Sequence, residues 1–365
     1  MPRARYDGRV DVAVVGAGVT GCSCALTLAE AGRRVRVHEA REVATGASGR
    51  NGGFALRGLA ASYDAARAEL GPERASALWR LTERTIDRME AIAGDAFRRT
   101  GSLRLAADEA ESELLGNEFD ALREDGLDAE WLAELEPPLA GQFRCALLHP
   151  RDGAIRPARW VRRLAVRAAA AGAEIREHDR VANIEELDAD VVVIATDGYT
   201  HGLVPELDDA VRPTRGQVIA TEALEERLFP RPHYTYDGYR YWHQTDDGRF
   251  VLGGFRDIAL DDEWTREEAT TPVIQSALES FARELIGRSP PITHSWSGIF
   301  GTTDDSLPLV GRVPGHEHVW ASVGYSGHGN VLGLACGELV AQAILGSPAA
   351  ELEPFDPARL VRAPR

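Results

Sequence analysis

The sequence predicts an α/β protein in which a doubly wound, parallel-sheet domain is interrupted by a second domain built on an antiparallel sheet. Three observations support this fold class. The chain opens with a strand, a glycine-rich turn, a helix and another strand; a later helix precedes the apolar run 190–195; and aromatic-rich strands separated by turns occupy 211–297. Continuous apolar strands suit a parallel sheet covered on both faces, and short aromatic strands between turns suit an antiparallel sheet.

The opening unit is defined by its local composition. Val10–Val15 is a β-branched run, and the residues from Cys22 to Ala31 are mostly helix formers. Gly32 is placed to end the helix, and Val35–His38 can form the next strand. The pattern therefore predicts a βαβ unit at the start of the chain.

The rest of the chain alternates between the two domains. The parallel-sheet domain continues through a helix over 157–171, strands at 174–177, 190–195, 308–311 and 319–322, and a final helix over 329–345. The second domain contains helices over 63–93 and 107–124 and strands at 216–221, 234–243 and 250–255. We assign the nucleotide-binding domain to residues 1–60, 145–205 and 299–365, and the substrate-binding domain to residues 61–144 and 206–298.

Composition excludes several classes of function. The 365-residue chain carries a formal net charge of −16, so it lacks the basic surface that nucleic acid requires. No segment is apolar for the length of a membrane span, and the first residues lack a secretory apolar stretch, so we expect a cytoplasmic protein. All 41 residues counted as lysine or arginine are arginines, which excludes a Schiff base on a protein lysine. The four cysteines show no metal-ligand spacing, and no metal is expected.

The first glycine-rich turn has the spacing of a dinucleotide-binding site. Gly16, Gly18 and Gly21 lie between the first strand and the first helix, and Glu39 follows the second strand. Gly16 permits a tight turn, Gly18 lets the backbone approach a pyrophosphate, and Gly21 allows close helix packing. The helix N-terminus supplies partial positive charge, and Glu39 can accept hydrogen bonds from a ribose diol. These residues predict a Rossmann-like domain, and either NAD or FAD would satisfy them.

Two further glycine-rich loops favour FAD. The loop 45–53 contains four glycines with Ser48, Arg50 and Asn51, so its backbone amides can approach a flat ring or a phosphate. The loop 324–330 directly precedes the final helix, whose N-terminus can stabilise negative charge on a ligand. A reduced flavin carries such charge at its pyrimidine edge, and NAD has no group that requires this arrangement.

These segments, together with 195–198 and 302–308, resemble the D-amino acid oxidase superfamily, in the branch of glycine oxidase, sarcosine oxidase and gamma-glutamylputrescine oxidase. The resemblance covers nearly the whole chain. It implies an FAD extended along the nucleotide domain, an antiparallel sheet over the flavin, and oxidation of an amine to an imine that water hydrolyses. The cofactor contacts predicted from the motifs and the resemblance are Gly16, Ala17, Gly18, Val19, Thr20, Gly21, Glu39, Ala40, Arg41, Ala47, Ser48, Gly49, Arg50, Asn51, Gly52, Gly53, Val181, Ala195, Thr196, Gly198, Gly324, Tyr325, Ser326, Gly327, His328, Gly329 and Asn330.

The family's polar substrate-binding groups are largely replaced here. The arginine that holds a carboxylate in glycine oxidase matches Phe300, and the corresponding lysine of sarcosine oxidase matches Val331. The oxygen-activating lysine and a nearby histidine of sarcosine oxidase match Val251 and Phe255, and its flavin-tethering cysteine matches Ser297. The resemblance therefore implies non-covalent FAD and an apolar, aromatic pocket without a clamp for an α-carboxylate. An amine whose polar group is distant from the reacting carbon fits such a pocket better than a simple α-amino acid.

Four residues are the candidates for contact with the reacting groups. Tyr241 lies on a strand whose alternation places Tyr239 and His243 on the same face, and it matches a pocket tyrosine of glycine oxidase. His328 is a candidate cation beside the flavin, Arg50 a candidate contact to flavin or substrate, and Phe300 faces the substrate position by the resemblance. Core packing for Tyr241, loop bracing for His328 and solvent exposure for Arg50 are the structural alternatives.

Three other functions stay open at this point. A flavin enzyme of the same fold could act on a hydroxy acid or another C–H donor. A nicotinamide-dependent dehydrogenase would share the first glycine-rich turn but leave the 324–330 loop unexplained. A flavin-binding protein without turnover would explain the missing polar groups. The expected partners are a small amine and either oxygen or another electron acceptor.

Overall fold

The computed structural model describes residues 6–362, so the start of the basic N-terminal segment and the last three tail residues lie outside the described residues. The strands are β1 (Val10–Val15), β2 (Val35–His38), β3 (Phe54–Ala55), β4 (Phe97–Arg98), β5 (Ser102–Ala106), β6 (Glu130–Leu132), β7 (Cys145–His149), β8 (Gly153–Ile155), β9 (Glu174–Arg176), β10 (Ala189–Ile194), β11 (Arg212–Ala223), β12 (His233–Thr235), β13 (Arg240–Gln244), β14 (Arg249–Gly254), β15 (Ile292–Thr302), β16 (Leu309–Arg312) and β17 (Val319–Val323). The α-helices are α1 (Val19–Glu30), α2 (Ala47–Arg50), α3 (Tyr63–Leu70), α4 (Pro72–Ala93), α5 (Glu109–Glu124), α6 (Pro157–Ala171), α7 (Pro205–Asp208), α8 (Leu260–Glu263), α9 (Pro272–Ile286) and α10 (Val331–Ile344).

A six-stranded sheet forms the nucleotide-binding part, in the order β16-β17-β10-β1-β2-β9. All pairs are parallel except β16 with β17. Val15 is level with Ile194 on one side and with His38 on the other, so the carboxyl ends of the three central strands meet at one edge. Ligands bind at this edge in doubly wound folds.

Helices α1 and α10 pack closely because small residues line their contact. A Cβ at Gly337 would lie 2.4 Å from the Thr20 carbonyl oxygen, and one at Gly333 would lie 2.8 Å from the Thr20 hydroxyl. The Ser23 hydroxyl also donates to the Leu334 carbonyl at 2.7 Å. This packing fixes the N-terminus of α10 relative to the glycine-rich turn before α1.

An eight-stranded sheet forms the second part, in the order β15-β11-β14-β13-β12-β5-β7-β6. Its pairs are antiparallel except β12 with β5. Helix α9 covers one face, where Ile274 and Leu278 pack in the same buried cluster as Trp242 and Phe250. Because side chains alternate along β13, Tyr241 points to the opposite face from Trp242. A third, small sheet joins β3, β8 and β4.

The elements agree with the predicted fold class, and several boundaries differ. The strands Val10–Val15 and Val35–His38 and the helix Pro157–Ala171 are as predicted. The single helix expected over 63–93 is two helices, because Gly71 adopts a φ of +84° between them. The strand expected over 234–243 is a hairpin, with positive φ at Tyr236 and Asp237.

Two further differences concern the second sheet. Helix α9 lies in a region that was predicted as strands and turns, and it supplies the cover for the sheet. Strand β7 is hydrogen-bonded to β5 in the eight-stranded sheet, so the predicted domain boundary at residue 145 divides this sheet. The domain boundaries themselves stay a prediction. Within residues 6–362, no helix combines the length and apolar character needed to cross a bilayer.

The interior contains histidines whose burial makes the protein sensitive to acid. His233 stacks on Trp242 with ring centroids 5.6 Å apart, and burial lowers its pKa to about 3. Burial also lowers the pKa of His243 and of His328 to about 4, and that of His149 well below its ordinary value. These imidazoles are neutral in the folded protein at pH 7, and the unfolded chain binds protons that the folded protein does not.

We expect the free energy of unfolding to fall by several kcal/mol between pH 7 and pH 5. As the pH falls from the ordinary pKa of such a histidine to its lowered pKa, the free energy of unfolding decreases by up to about 1.4 kcal/mol per pH unit for each histidine. Asp152 offsets part of this loss. Burial raises the pKa of its carboxyl group to about 6, so the folded protein binds that proton more tightly than the unfolded chain does. Urea unfolding of the holoenzyme at several pH values measures the slope. His233→Phe should make the slope shallower, and an unchanged slope would contradict the assignment.

Candidate active site

One cleft of about 370 Å³ lies between the carboxyl edge of the six-stranded sheet and the open face of the eight-stranded sheet. Ala195 follows β10 at one wall, and Val218, Tyr241 and Phe300 project from β11, β13 and β15 at the other. Of the predicted site residues, those that line this cleft are Gly18, Val19, Thr20, Ala47, Ser48, Arg50, Asn51, Gly52, Ala195, Tyr241, Phe300, Tyr325, Ser326, Gly327, His328, Gly329 and Asn330.

The first glycine-rich turn has the close contacts that its spacing predicts. A Cβ at Gly21 would lie 2.0 Å from the Gly16 carbonyl oxygen, and one at Gly16 would lie 2.6 Å from the Ala195 carbonyl oxygen. Gly18 precedes α1 and offers no side-chain cap to the helix. The N-terminus of α1 faces the cleft through Gly18, Val19 and Thr20, with the Val19 amide donating to the Ser48 hydroxyl, and this end of the helix suits a pyrophosphate.

Glu39 is held in place by the backbone around it. Its Oε2 accepts a hydrogen bond from the Ala17 amide at 2.9 Å, and its Oε1 accepts one from the Arg41 amide at 2.9 Å. Each carboxylate oxygen retains a further lone pair, so the group can also accept from a ribose diol. This geometry fits the role that the sequence predicts for Glu39.

The loop 47–53 is tied to the N-terminus of α10 by a pair of amides. Nδ2 of Asn51 donates to Oδ1 of Asn330 at 3.0 Å, and Nδ2 of Asn330 donates to Oδ1 of Asn51 at 3.1 Å. The Gly53 amide also donates to Asn51, and Asn330 donates to the Phe54 carbonyl. Ser48 links the same loop to α1, because its hydroxyl accepts from the Val19 amide at 3.1 Å.

Asp197 holds the start of the loop 324–330 through hydrogen bonds to backbone amides. It adopts a φ of +47°, and its buried carboxylate accepts from the amides of Gly301 at 3.0 Å, Gly324 at 2.9 Å and Tyr325 at 3.3 Å. Burial raises the pKa of this carboxyl group. The sequence analysis included its neighbours Ala195, Thr196 and Gly198 and missed Asp197, although an aspartate directly after a buried strand is a signal for such a contact.

Arg50 lines the cleft but is already paired. Its Nη1 lies 2.9 Å from Oε2 of Glu268 and donates to the Ser297 carbonyl at 3.3 Å. Arg41 also pairs with Glu268, at 2.8 Å, and the Tyr199 hydroxyl donates to the same carboxylate. The Arg50 side chain is 31% exposed, and its guanidinium joins this loop to Glu268. Contact of Arg50 with flavin or substrate stays a prediction.

Tyr241 and Phe300 form the wall opposite the glycine-rich loops. The ring of Tyr241 lies between Gly52 and Gly253, where an added Cβ would approach it to 2.8 Å and 2.4 Å. Phe300 lies beside Gly216, 3.4 Å from the position of a Cβ there, and the Tyr241 hydroxyl is 3.9 Å from the same position. Burial raises the pKa of Tyr241 to about 12, so the phenol keeps its proton.

The surroundings of His328 disfavour the positive charge considered for it from the sequence. It lies half-buried in the cleft, Nδ1 has no hydrogen-bond partner within residues 6–362, and burial lowers its pKa to about 4. Burial favours the neutral imidazole, because the enclosed site disfavours the charged form. A contact between His328 and the flavin stays a prediction.

The resemblance implies an apolar, aromatic pocket without a clamp for an α-carboxylate, and the structure adds cationic side chains to the lining. Four arginines line the cleft: Arg50, Arg57, Arg104 and Arg256. The guanidinium carbon of Arg256 lies 4.5 Å from the ring centroid of Tyr239 and 5.7 Å from that of Phe300. Sequence reasoning missed Arg256, because nothing in the local pattern of 250–256 shows which side chain turns toward the cleft.

The other predicted cofactor residues lie around the cleft and do not line it. Several have packing contacts there: Gly49 approaches Ala44, Gly53 approaches Ile155, Gly198 approaches Phe300, and Gly324 approaches Thr303. Val181 packs against an apolar cluster of the six-stranded sheet. The residues of this group are Gly16, Ala17, Gly21, Glu39, Ala40, Arg41, Gly49, Gly53, Val181, Thr196, Gly198 and Gly324. Their contact with a cofactor stays a prediction.

Together the two sheets, the glycine-rich turn, Glu39 and the two helix N-termini at the cleft define a two-domain flavin-dinucleotide-binding oxidoreductase. The N-terminus of α10 supports this class, because Asn330 supplies no side-chain cap and leaves the helix amides at the cleft. The family model described as FAD dependent oxidoreductase matches residues 11–343, and the chain belongs to that family. It is an FAD-dependent enzyme, and the resemblance found in the sequence is confirmed.

Individual relatives agree with this assignment. Gamma-glutamylputrescine oxidoreductase of Escherichia coli K12 is 29% identical over 380 residues, which cover 95% of this chain and 85% of the relative. The crystal structure of glycine oxidase from Geobacillus kaustophilus superposes with a TM-score of 0.80 at 24% identity, covering 98% of this chain and 100% of that one. L-proline dehydrogenase from P. horikoshii gives 0.82 at 21% identity, covering 97% and 98%. At these identities the two structures show the shared fold.

Proposed function

We propose that the enzyme oxidises the C–N bond of a small amine, whose imine product is then hydrolysed by water. FAD, when bound, supplies the acceptor for the hydride that leaves the carbon next to nitrogen. The glycine-rich segments 16–21, 47–53 and 324–330 would hold this cofactor along the carboxyl edge of the six-stranded sheet. Oxygen or another acceptor would take up the electrons.

The aromatic wall formed by Tyr241 and Phe300 is the observation that carries the proposal. Burial raises the pKa of the Tyr241 phenol and lowers that of His328, Phe300 is apolar, and the Arg256 guanidinium 5.7 Å from the Phe300 ring is positive, so none of these groups favours a positive charge on the substrate. An enclosed apolar wall disfavours an ammonium ion and favours the neutral amine. The neutral amine is the form that can release a hydride from the adjacent carbon, because its nitrogen lone pair stabilises the resulting cation. No strong general base is then required.

The relatives support an amine more than a hydroxy acid. The names gamma-glutamylputrescine oxidoreductase and glycine oxidase describe proteins that act on compounds with C–N bonds. Each of these two relatives aligns with more than nine-tenths of this chain, so the similarity extends over the residues of both sheets. A hydroxy acid is the second candidate substrate class, since the same fold and the same hydride acceptor could serve it.

A polar part of the cleft lining supports a substrate that has a polar group besides the amine. The lining contains ionisable and phenolic side chains, and Arg57 and Arg104 among them have nearly buried guanidinium groups. A substrate that contacts them would bury polar atoms against polar partners. These polar lining side chains are Arg57, Arg104, Glu118, His149, Asp152, Tyr234 and Asp237.

The cofactor is proposed to be bound without a covalent link, in the cytoplasm. The four cysteines are buried free thiols, and none is among the residues that line the cleft within the described chain. Free thiols are typical of a reducing compartment. The serine at the position of the family's tethering cysteine, Ser297, cannot form the thioether. Denaturation in acid followed by filtration should release all of the yellow chromophore.

Product analysis tests the reaction class. The holoenzyme is incubated with matched pairs of an amine and the alcohol of the same carbon skeleton, such as glycine with glycolate and 4-aminobutanoate with 4-hydroxybutanoate. The proposal expects a carbonyl product together with ammonia from the amine of at least one pair. Carbonyl formation from the alcohols alone would establish the second candidate.

A further inference from the structure

One carboxylate connects the part built on the eight-stranded sheet to the loops on the other side of the cleft. Glu268 lies in the segment 264–270, between α8 and α9. Its Oε2 accepts from Nη1 of Arg41 at 2.8 Å and from Nη1 of Arg50 at 2.9 Å, and its Oε1 accepts from Arg41 at 3.0 Å. The Tyr199 hydroxyl donates to the same Oε1. Three side chains from outside the eight-stranded sheet therefore converge on a single acceptor.

Both ends of the segment 264–270 are held by a buried glutamine of β11. Nε2 of Gln217 donates to Oε1 of Glu263 at 2.9 Å and to the Thr271 hydroxyl at 2.9 Å. Oε1 of Gln217 accepts from the Thr271 amide at 2.9 Å. Glu263 is also buried, so the segment is firmly attached to the sheet on the side where it begins. The attachment at both ends presents Glu268 from the middle of a short connection, and a hinge at one end cannot carry it away.

The partners of Glu268 hold the loop 45–53, part of which lines the cleft. Arg50 belongs to this loop, and its Nη1 also donates to the Ser297 carbonyl at 3.3 Å. Nη2 of Arg41 donates to the Thr45 carbonyl at 3.2 Å. The carboxylate therefore acts on the loop at its first residue, through Arg41, and at its arginine directly.

The charges at this contact depend on Glu268. Among residues 6–362, neither Arg41 nor Arg50 has another carboxylate within salt-bridge distance. Burial opposes ionisation of Glu268, but hydrogen bonds from Arg41 and Tyr199 lower its pKa, so the carboxylate is charged at pH 7. Without it, two like charges would lie at the loop and repel each other. The side chains are partly exposed, so added salt screens the contact.

We propose that Glu268 is a positioning residue that holds the loop 45–53 closed against the eight-stranded-sheet part and thereby slows the release of FAD. This inference rests on the proposed placement of FAD along the glycine-rich segments, and it is independent of the substrate. The loop is joined to the N-terminus of α1 by the contact of the Ser48 hydroxyl with the Val19 amide. Release of a cofactor held between the loop and α1 requires the loop to move, and the ion pairs of Glu268 add to the free energy of that opening.

The rate of FAD release from the oxidised holoenzyme tests this role without turnover. The holoenzyme is mixed with an excess of 5-deaza-FAD, an analogue with a different absorbance spectrum, and the exchange of bound FAD is followed by absorbance. Glu268→Gln should release FAD about 10-fold or more faster than the wild type. Added NaCl should accelerate release from the wild type and have a much smaller effect on Glu268→Gln, because the variant has no ion pair left to screen. A purely structural role of the segment would not give this difference in salt dependence.

Glu267→Gln is the matched control, because it removes the same charge from the adjacent, exposed residue, whose side chain forms no salt bridge within residues 6–362. It should release FAD at the wild-type rate. The proposal is overturned if Glu268→Gln releases FAD as slowly as the wild type, if Glu267→Gln releases it as fast as Glu268→Gln, or if salt accelerates the wild type and Glu268→Gln equally. Should Glu268→Gln fail to fold, Arg41→Met, which removes the other side of the contact, decides by the same rates. Failure of the proposed amine oxidation would appear separately, as absence of a carbonyl product with these rates of FAD release unchanged.

Discussion

Replacing Gly21 by alanine is expected to give a protein that is purified without FAD. The added Cβ would lie 2.0 Å from the Gly16 carbonyl oxygen and 3.2 Å from Val14. The first contact is with backbone, so a side-chain rotation cannot relieve it. Either α1 moves away from β1 or the turn opens, and both changes displace the amides that face the pyrophosphate. We expect at least a 100-fold loss of FAD affinity and a destabilisation of about 3 kcal/mol.

The ratio of flavin to protein absorbance after purification, followed by titration with FAD, measures this effect. Gly32→Ala is the control for a general loss of stability. Gly32 ends α1 with a φ of +78° and has no atom within 4 Å of an added Cβ. The substitution should cost about 1–2 kcal/mol through backbone strain and leave FAD bound. Full FAD occupancy in Gly21→Ala would contradict the geometry of the turn.

Removal of the Asp197 carboxylate is expected to destabilise the protein and loosen the loop 324–330. Asp197→Ala would leave the amides of Gly301, Gly324 and Tyr325 without their acceptor in a buried site. An unsatisfied buried donor costs about 1–3 kcal/mol, so the total should be several kcal/mol. Because the loop leads into α10, we also expect weaker FAD binding, by about 10-fold or more.

Two variants separate the effect of the buried Asp197 carboxylate from the loss of an ordinary hydrogen bond between an aspartate and a backbone amide. Asp197→Asn retains one acceptor oxygen and should lose less than half as much stability. Asp208→Ala removes a similar contact from the end of α7 to a backbone amide, that of the exposed Gly202 at 2.9 Å, together with a contact to His201 at 3.3 Å, and should cost about 1 kcal/mol or less. Urea unfolding and FAD titration of the three variants give the comparison. Equal losses from Asp197→Ala and Asp208→Ala would show that Asp197 has no special role.

Local sequence patterns were sufficient for the nucleotide-binding part of the fold. Strand β1, the turn at Gly16 and strand β2 depend on β-branched runs and glycine spacing within about 30 residues, and the structure forms them where predicted. Helix α9 was missed because its neighbourhood is rich in turns and strands. The hairpin after β12 was read as one strand because positive φ at Tyr236 and Asp237 is not visible in residue type.

The chemistry of the cleft depended on pairings that sequence does not show. Arg50 and Glu268 are 218 residues apart, so the neutralisation of Arg50 follows only from the fold. Burial favours the neutral form of His328, and among residues 6–362 no carboxylate lies within salt-bridge distance of Arg256. A comparison limited to the family's usual substrate-binding positions therefore did not reveal Arg256, which lies in the turn after β14.

The reduction of bound FAD by an amine under anaerobic conditions tests the account most directly. The oxidised holoenzyme is mixed with glycine, N-methylglycine, 4-aminobutanoate and gamma-glutamylputrescine, with butylamine as the amine that lacks a carboxylate, and the flavin band near 450 nm is followed. The account predicts that at least one amine bleaches this band stoichiometrically. If the flavin stays oxidised with every amine and is bleached by a hydroxy acid, the enzyme is not an amine-oxidising one.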